Sequence, residues 1–188
     1  GGDRVGAGPP GHRAVEGPGD PRGVFHAHQG EARHIATITK YDGKSAFVLH
    51  WNTPDAKRLR LELLTPNCEL ITPENVGAGN FKAITFQGGD RFQMYMVDEA
   101  FVQNRAEPDR PRHGTWTLVI TSPVLNHTDE KEAQEIYEYD IIVDSNLRMD
   151  LSLDRALYYA GDPISITARL TAGGKPVIGA TVSLSTTA

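Results

Sequence analysis

Histidines and carboxylates are the residues of this chain whose spacing could support chemistry. His26 and His28, with His34 after them and His12 before, could hold a zinc ion. Side chains two apart on an extended chain point the same way, and imidazole binds zinc readily. They stand in or beside a glycine-rich arm with no fixed geometry, so chance spacing is the preferred reading. Asp140, Asp144, Asp150 and Asp154 gather where one domain gives way to the next. Calcium held by several converging oxygens at such a junction would stiffen tandem β-domains, which makes these four the better ion candidates. Asn126-His-Thr-Asp-Glu-Lys-Glu132 is also acidic, but it lacks the alternating Asp spacing of an EF-hand and reads as a solvated loop. Asp162, after Ala160-Gly161, reads as a turn residue.

Nucleophilic chemistry has less support. The chain contains no Gly-x-Ser-x-Gly elbow, and nothing around the lone Cys68 marks it as a nucleophile. Cys68 reads as a small half-buried residue. Trp51 and Trp116 could form a flat platform for sugars, yet Trp116 alternates with Leu118 and Ile120, which places it in a core. The expectation is a protein without catalytic residues or a bound cofactor, calcium excepted.

Composition narrows the partners. The chain is 39% apolar and 23% charged, values of an ordinary globular protein, and its formal net charge is -5. That balance, with no cluster of Lys and Arg, argues against nucleic acid as a partner. Lys57-Arg58-Leu59-Arg60 comes nearest, but Leu59, Leu61 and Leu63 alternate with Arg58, Arg60 and Glu62 as in a strand with one solvated face. No apolar run approaches the ~18 residues of a membrane span, and no signal-peptide pattern stands at the N-terminus. One cysteine excludes an intrachain disulfide framework.

The elements that would position these residues are strands. Residues 1–30 hold nine glycines and four prolines and read as a flexible linker, with Phe25 as its one docking residue. From Glu31 to Ser145, alternation predicts strands over His34–Lys40, Ser45–Trp51, Arg58–Leu64, Lys82–Gln87, Arg91–Val97, Thr115–Thr121 and Ile136–Asp144. Asp42-Gly43 is read as a tight hairpin turn, and Gly88-Gly89-Asp90 as a second. The charged stretch Asp129–Gln134 reads as a loop, and no helix is expected. The fold class is all-β: an antiparallel β-sandwich, jelly-roll or Ig-like, over 31–145. A partial second Ig-like domain follows over 146–188, with strands at Leu147–Leu153, Ile164–Leu170 and Val177–Leu184. About 40 residues fall short of the roughly 100 of a complete sandwich of that type. Unpaired edges are then expected, with 147–188 packing on the first domain or exchanging strands with a second copy.

Several of these segments, taken in order, resemble a known module. They are Phe47-Val-Leu-His-Trp51, Leu61-Glu-Leu-Leu-Thr-Pro66 with Glu69-Leu-Ile71, and His113-Gly-Thr-Trp-Thr-Leu-Val-Ile120. The order is similar to that of the β-sandwich behind the von Willebrand A domain in calcium-activated chloride channel regulator-like proteins and similar bacterial secreted proteins. There a fibronectin-III or Ig-like domain follows, and Pro176-Val-Ile-Gly-Ala-Thr-Val182 resembles its second strand. Asn67-Cys68 replaces the family's usual Pro-x-Gly turn. The resemblance implies an extracellular or cell-surface setting and a non-catalytic role as spacer, adhesion module or protein-binding scaffold. Its partners would be other domains of the same parent protein. An accessory domain of a secreted protease or hydrolase, or a carbohydrate-binding module, is the alternative. Neither a His-Glu-x-x-His helix nor an Asp-x-Ser-x-Ser metal-adhesion loop occurs in the chain.

Overall fold

A computed structural model describes residues 12–14, 21–104 and 107–181. They fall into two compact units that meet in sequence at Ser145 and Asn146. The first is an antiparallel β-sandwich. Its larger sheet contains β1 (His12–Ala14), β2 (Arg22–His26), β4 (Asp42–Trp51), β7 (Ile84–Gly89), β8 (Phe92–Val97) and β10 (Gln134–Ser145). The strand order is β1-β10-β4-β8-β7, with β2 also paired to β10. The smaller sheet holds β3 (Glu31–Ile38), β5 (Arg60–Leu64), β6 (Leu70–Ile71) and β9 (Gly114–Thr121), in the order β3-β9-β5-β6.

The alternation seen in the sequence becomes the two inner faces. Phe47, Leu49 and Trp51 on β4, with Tyr137, Tyr139, Ile141 and Val143 on β10, meet Trp116, Leu118 and Ile120 on β9 and Leu61 and Leu63 on β5. Phe47 stacks on Trp116 with ring centroids 5.3 Å apart, near the middle of this core. Each such fully buried side chain contributes roughly 1.5–3 kcal/mol relative to exposure. Polar groups also join the two sheets. On β8, Gln93 accepts from Leu61 N (2.7 Å) and donates to Leu59 O (3.3 Å), while the buried Tyr95 hydroxyl donates to Leu61 O (3.0 Å). Burial pushes the Tyr95 phenol well above its ordinary value.

Three features differ from the sequence reading. Residues 22–30 belong to the sandwich and not to a linker: β2 pairs with β10, and Phe25 is fully buried. Glycine content hid this strand, because only one of its five residues is a large core side chain. Asp42-Gly43 does not close a hairpin either, since β3 lies in the smaller sheet and β4 in the larger. The chain crosses between sheets through Thr39–Asp42, where the buried Asp42 carboxylate accepts from Thr39 N at 2.6 Å. Finally, the described residues include one short α-helix, α1 (Glu99–Gln103), with the Asp98 side chain capping Ala100 N, and two 3-10 turns, Gly79–Phe81 and Leu125–His127. The glycine-rich turn behaves as expected: β7 and β8 pair through Gly89 and Phe92, leaving Asp90-Arg91 as a two-residue connection.

The second unit contains a three-stranded antiparallel sheet of β11 (Leu147–Leu153), β12 (Ile166–Ala172) and β13 (Lys175–Pro176). Its register separates the side chains by polarity. Leu147, Met149, Leu151 and Leu153 pair with Ala172, Leu170, Ala168 and Ile166, while Arg148, Asp150 and Ser152 pair with Thr171, Arg169 and Thr167. Met149, Leu151 and Leu153 are more than half exposed. The strand expected from Val177 does not form over its described part: β13 covers Lys175–Pro176, residues 177–181 carry no strand, and Val182 and Leu184 lie outside the described residues.

Candidate functional site

Three of the four junction aspartates are engaged within their own units. Asp140 on β10 accepts from His50 Nε2 at 3.2 Å, and Asp150 on β11 pairs with Arg148 at 2.9 Å. Asp154 accepts from the Tyr158 hydroxyl and from Ser165 N, with Arg155 beside it. The Tyr158 hydroxyl bond holds the Asp154 carboxyl below the usual range. Asp144 lines a cavity with Lys44 and Lys82. Among the described residues no three His, Cys, Asp or Glu side chains come together as a metal site.

The histidines are dispersed in the same way. His28 Nδ1 lies 3.3 Å from Asn126 O, while His26 meets Gln29 through its backbone N. His34 turns inward from β3, its Nε2 2.8 Å from the Tyr137 hydroxyl and its ring 4.2 Å from that of Tyr139. Desolvation there pushes the His34 imidazole below its ordinary value. The His12 side chain lies outside the described residues. In the acidic loop, Asn126 brackets Gly30, accepting from its N at 3.0 Å and donating to its O at 2.8 Å.

Two ion pairs that no motif announced are held close to the core. Glu135 on β10, its side chain 2% exposed, accepts from Arg58 Nε at 2.9 Å and from the backbone N–H groups of Asn52 and Thr53 at 3.0 and 3.1 Å. Burial pushes this carboxyl up, but the bonds from Thr53, Arg58 and Asn52 outweigh it and leave it below the usual range. At the other pair, Arg112 grips Glu69 with Nε and Nη2 at 2.6 and 2.8 Å, and its guanidinium lies over the Phe101 ring at 4.2 Å. Arg112 also takes the Trp116 Nε1–H on its carbonyl at 2.8 Å. The Arg112 bonds draw the Glu69 carboxyl down. These pairs clamp loops onto the core, and the alternation of Arg58 and Arg60 with leucines disguised the first as a solvated face.

Trp51 and Trp116 are 4% and 0% exposed, so neither offers a sugar platform; the Trp51 indole donates to Asp55 O at 3.1 Å. Asp42 Oδ1, Ser45 Oγ and His113 Nδ1 are buried without hydrogen-bond partners among the described residues. Cys68 is exposed, not half-buried, and closes the turn after β5 in the left-handed region at φ 61°. That conformation costs a non-glycine residue roughly 1–2 kcal/mol. Cys68→Gly is therefore expected to raise stability by about 0.5–1 kcal/mol, read as a higher denaturation midpoint in urea. A lower midpoint would mean that the thiol holds the turn.

Compared with known proteins, the chain matches no family model and no curated protein. No helix among the described residues is long and apolar enough to cross a membrane.

Proposed function

We propose that this chain is a non-catalytic β-sandwich module of an extracellular or cell-surface multidomain protein, acting as a spacer or protein-binding scaffold. The observation that carries this reading is the link between the two units: β10 ends at Ser145 and β11 begins at Leu147, so only Asn146 separates them. A one-residue link favours transmitting position over independent movement, which is the chemistry-free task of a spacer. The employment of Glu135, Glu69, His34 and both tryptophans in packing and clamping points the same way. The resemblance of the strand-motif order to the module behind von Willebrand A domains supports the setting, and other domains of the parent protein would be the bound partners. Calcium at Asp140, Asp144, Asp150 and Asp154 is not required for this role.

Residual dipolar couplings test it. Backbone N–H vectors of 21–145 and of 147–172 are expected to fit one alignment tensor, and a Gly-Gly-Ser insertion after Asn146 is expected to split it into two. Two distinct tensors in the unmodified chain would overturn the spacer role.

A further inference from the structure

We propose that a cavity on the outer face of the larger sheet binds a short apolar peptide, two or three residues long, through its free termini. The cavity holds about 580 Å³, within the range of roughly 300–1,000 Å³ that small ligands occupy. Its walls follow from strand register. Val143 on β10, Ser45 on β4 and Val97 on β8 are paired in line across the sheet, and all three are buried. Side chains alternate along a strand, so the residues on either side of each of these point outward. One step towards the sheet's end stand Asp144, Lys44 and Asp98, with the register of β10 on β4 shifting just there. One step the other way stand Ile142, Ala46 and Met96, the first and last of them 41% and 45% exposed. All six line the cavity. A row of charge thus lies beside a row of hydrocarbon.

The charges select the ligand. Lys44 stands between carboxylates on the two neighbouring strands, yet no ion pair engages Lys44, Asp98 or Asp144 among the described residues. The Asp98 side chain is committed through Oδ1 alone, which accepts from Ala100 N at 3.0 Å. Lys82, the fourth charged residue of the lining, is exposed and equally without an ion pair among the described residues. Two cations and two anions balance, so a ligand of one sign would meet repulsion as well as attraction. A zwitterion satisfies both, its carboxylate on Lys44 or Lys82 and its ammonium on Asp98 or Asp144. Neighbouring strands lie ~4.8 Å apart, whereas a free amino acid carries both charges on one carbon. Two residues in extended form span about 7 Å, enough to carry the two charges past adjacent strands. The apolar side chains of such a peptide would lie on Ile142, Ala46 and Met96, and the flexible methionine adapts to their shape.

An amide-detected NMR titration of the whole chain with the dipeptide leucyl-leucine tests the proposal. The amides of residues 44–46, 96–98 and 142–144 are expected to shift together and to saturate, with Kd on the order of 1 mM. N-acetyl-leucyl-leucine amide keeps the apolar body and lacks both charges, and it is expected to bind about tenfold more weakly or worse. Lys44→Met and Asp98→Asn are each expected to raise Kd about tenfold. Lys44 is exposed, and asparagine keeps the oxygen that caps Ala100 N, so both variants retain the fold, as their own amide spectra will report. No saturable shift below about 10 mM leucyl-leucine would overturn the proposal. So would equal affinity for the capped peptide, or an unchanged Kd in both variants.

Discussion

Replacing Glu135 by alanine is expected to destabilise the sandwich by about 3–5 kcal/mol, the range for breaking a buried ion pair by removing one partner. The carboxylate holds three groups at once: Arg58 Nε and the backbone N–H groups of Asn52 and Thr53. Alanine would leave the backbone donors unsatisfied and Arg58, whose side chain is only 20% exposed, without its anion. The Asn52–Arg58 loop between β4 and β5 would then lose its anchor. In thermal melts this is a drop of roughly 10–20 °C. Glu135→Gln keeps an acceptor for the backbone and is expected to cost about half as much.

The same residue sets a pH window. Its folded pKa lies below the unfolded value of 4.5, so its contribution is fully present above that value and is lost as the pH falls through the folded one. Glu69, drawn down by Arg112, acts in the same sense. Melting temperature is therefore expected to fall between about pH 5 and pH 3, with a shallower slope in Glu135→Gln. Equal slopes in parent and variant would remove Glu135 from the account, and a loss under about 1 kcal/mol in Glu135→Ala would show that the loop is held elsewhere.

Gly23→Ala is expected to detach β2. Gly23 pairs with Tyr137, whose ring lies across the glycine: a Cβ there would stand 2.2 Å from Tyr137 Cζ and 2.4 Å from its hydroxyl. The ring cannot step aside cheaply, because its hydroxyl is bonded to His34 Nε2 and its edge meets the His34 ring. Either the tyrosine abandons His34 or β2 lifts from β10 and exposes Phe25. Overpacking of this kind costs about 1–3 kcal/mol, and uncovering Phe25 would add roughly 1.5–3 more. Amide exchange reads the two apart. Faster exchange confined to 22–26 marks detachment of β2, whereas unchanged protection with unchanged stability would show that the ring does move.

Strand identity was legible in the sequence because each strand of the sandwich buries one face, and a period of two survives in any sheet. Trp116, Leu118 and Ile120, or Tyr137 through Val143, announce themselves. Which sheet a strand joins was not legible. The residues of β3 and β4 alternate alike whether they pair with each other or face each other across the core, so Asp42-Gly43 suggested a hairpin where the chain crosses between sheets. β2 escaped because Gly23, the residue that admits the Tyr137 ring, also looks like linker. Of the candidate site residues, the four aspartates and the histidines were visible by type, but their engagement with His50, Arg148, Tyr158 and Tyr137 depends on register and rotamer. The Arg58–Glu135 and Arg112–Glu69 pairs are 77 and 43 residues apart in the chain, beyond the reach of any local pattern.

The place of β10 has a bearing on how the polypeptide reaches this shape. It is the longest strand of the larger sheet, and it neighbours β1, β2 and β4, all from the first third of the chain. During synthesis those early strands emerge with their apolar faces complete, but their common neighbour is still unmade. The larger sheet cannot close until residue 145 has left the ribosome. Closure across such sequence separations is slow, because the entropy of the intervening loop is lost before any contact is gained. Phe25, Phe47 and Leu49 therefore wait in the open until β10 is made, and a chaperone that shields extended apolar strands during synthesis should raise the yield of this protein more than one acting after release.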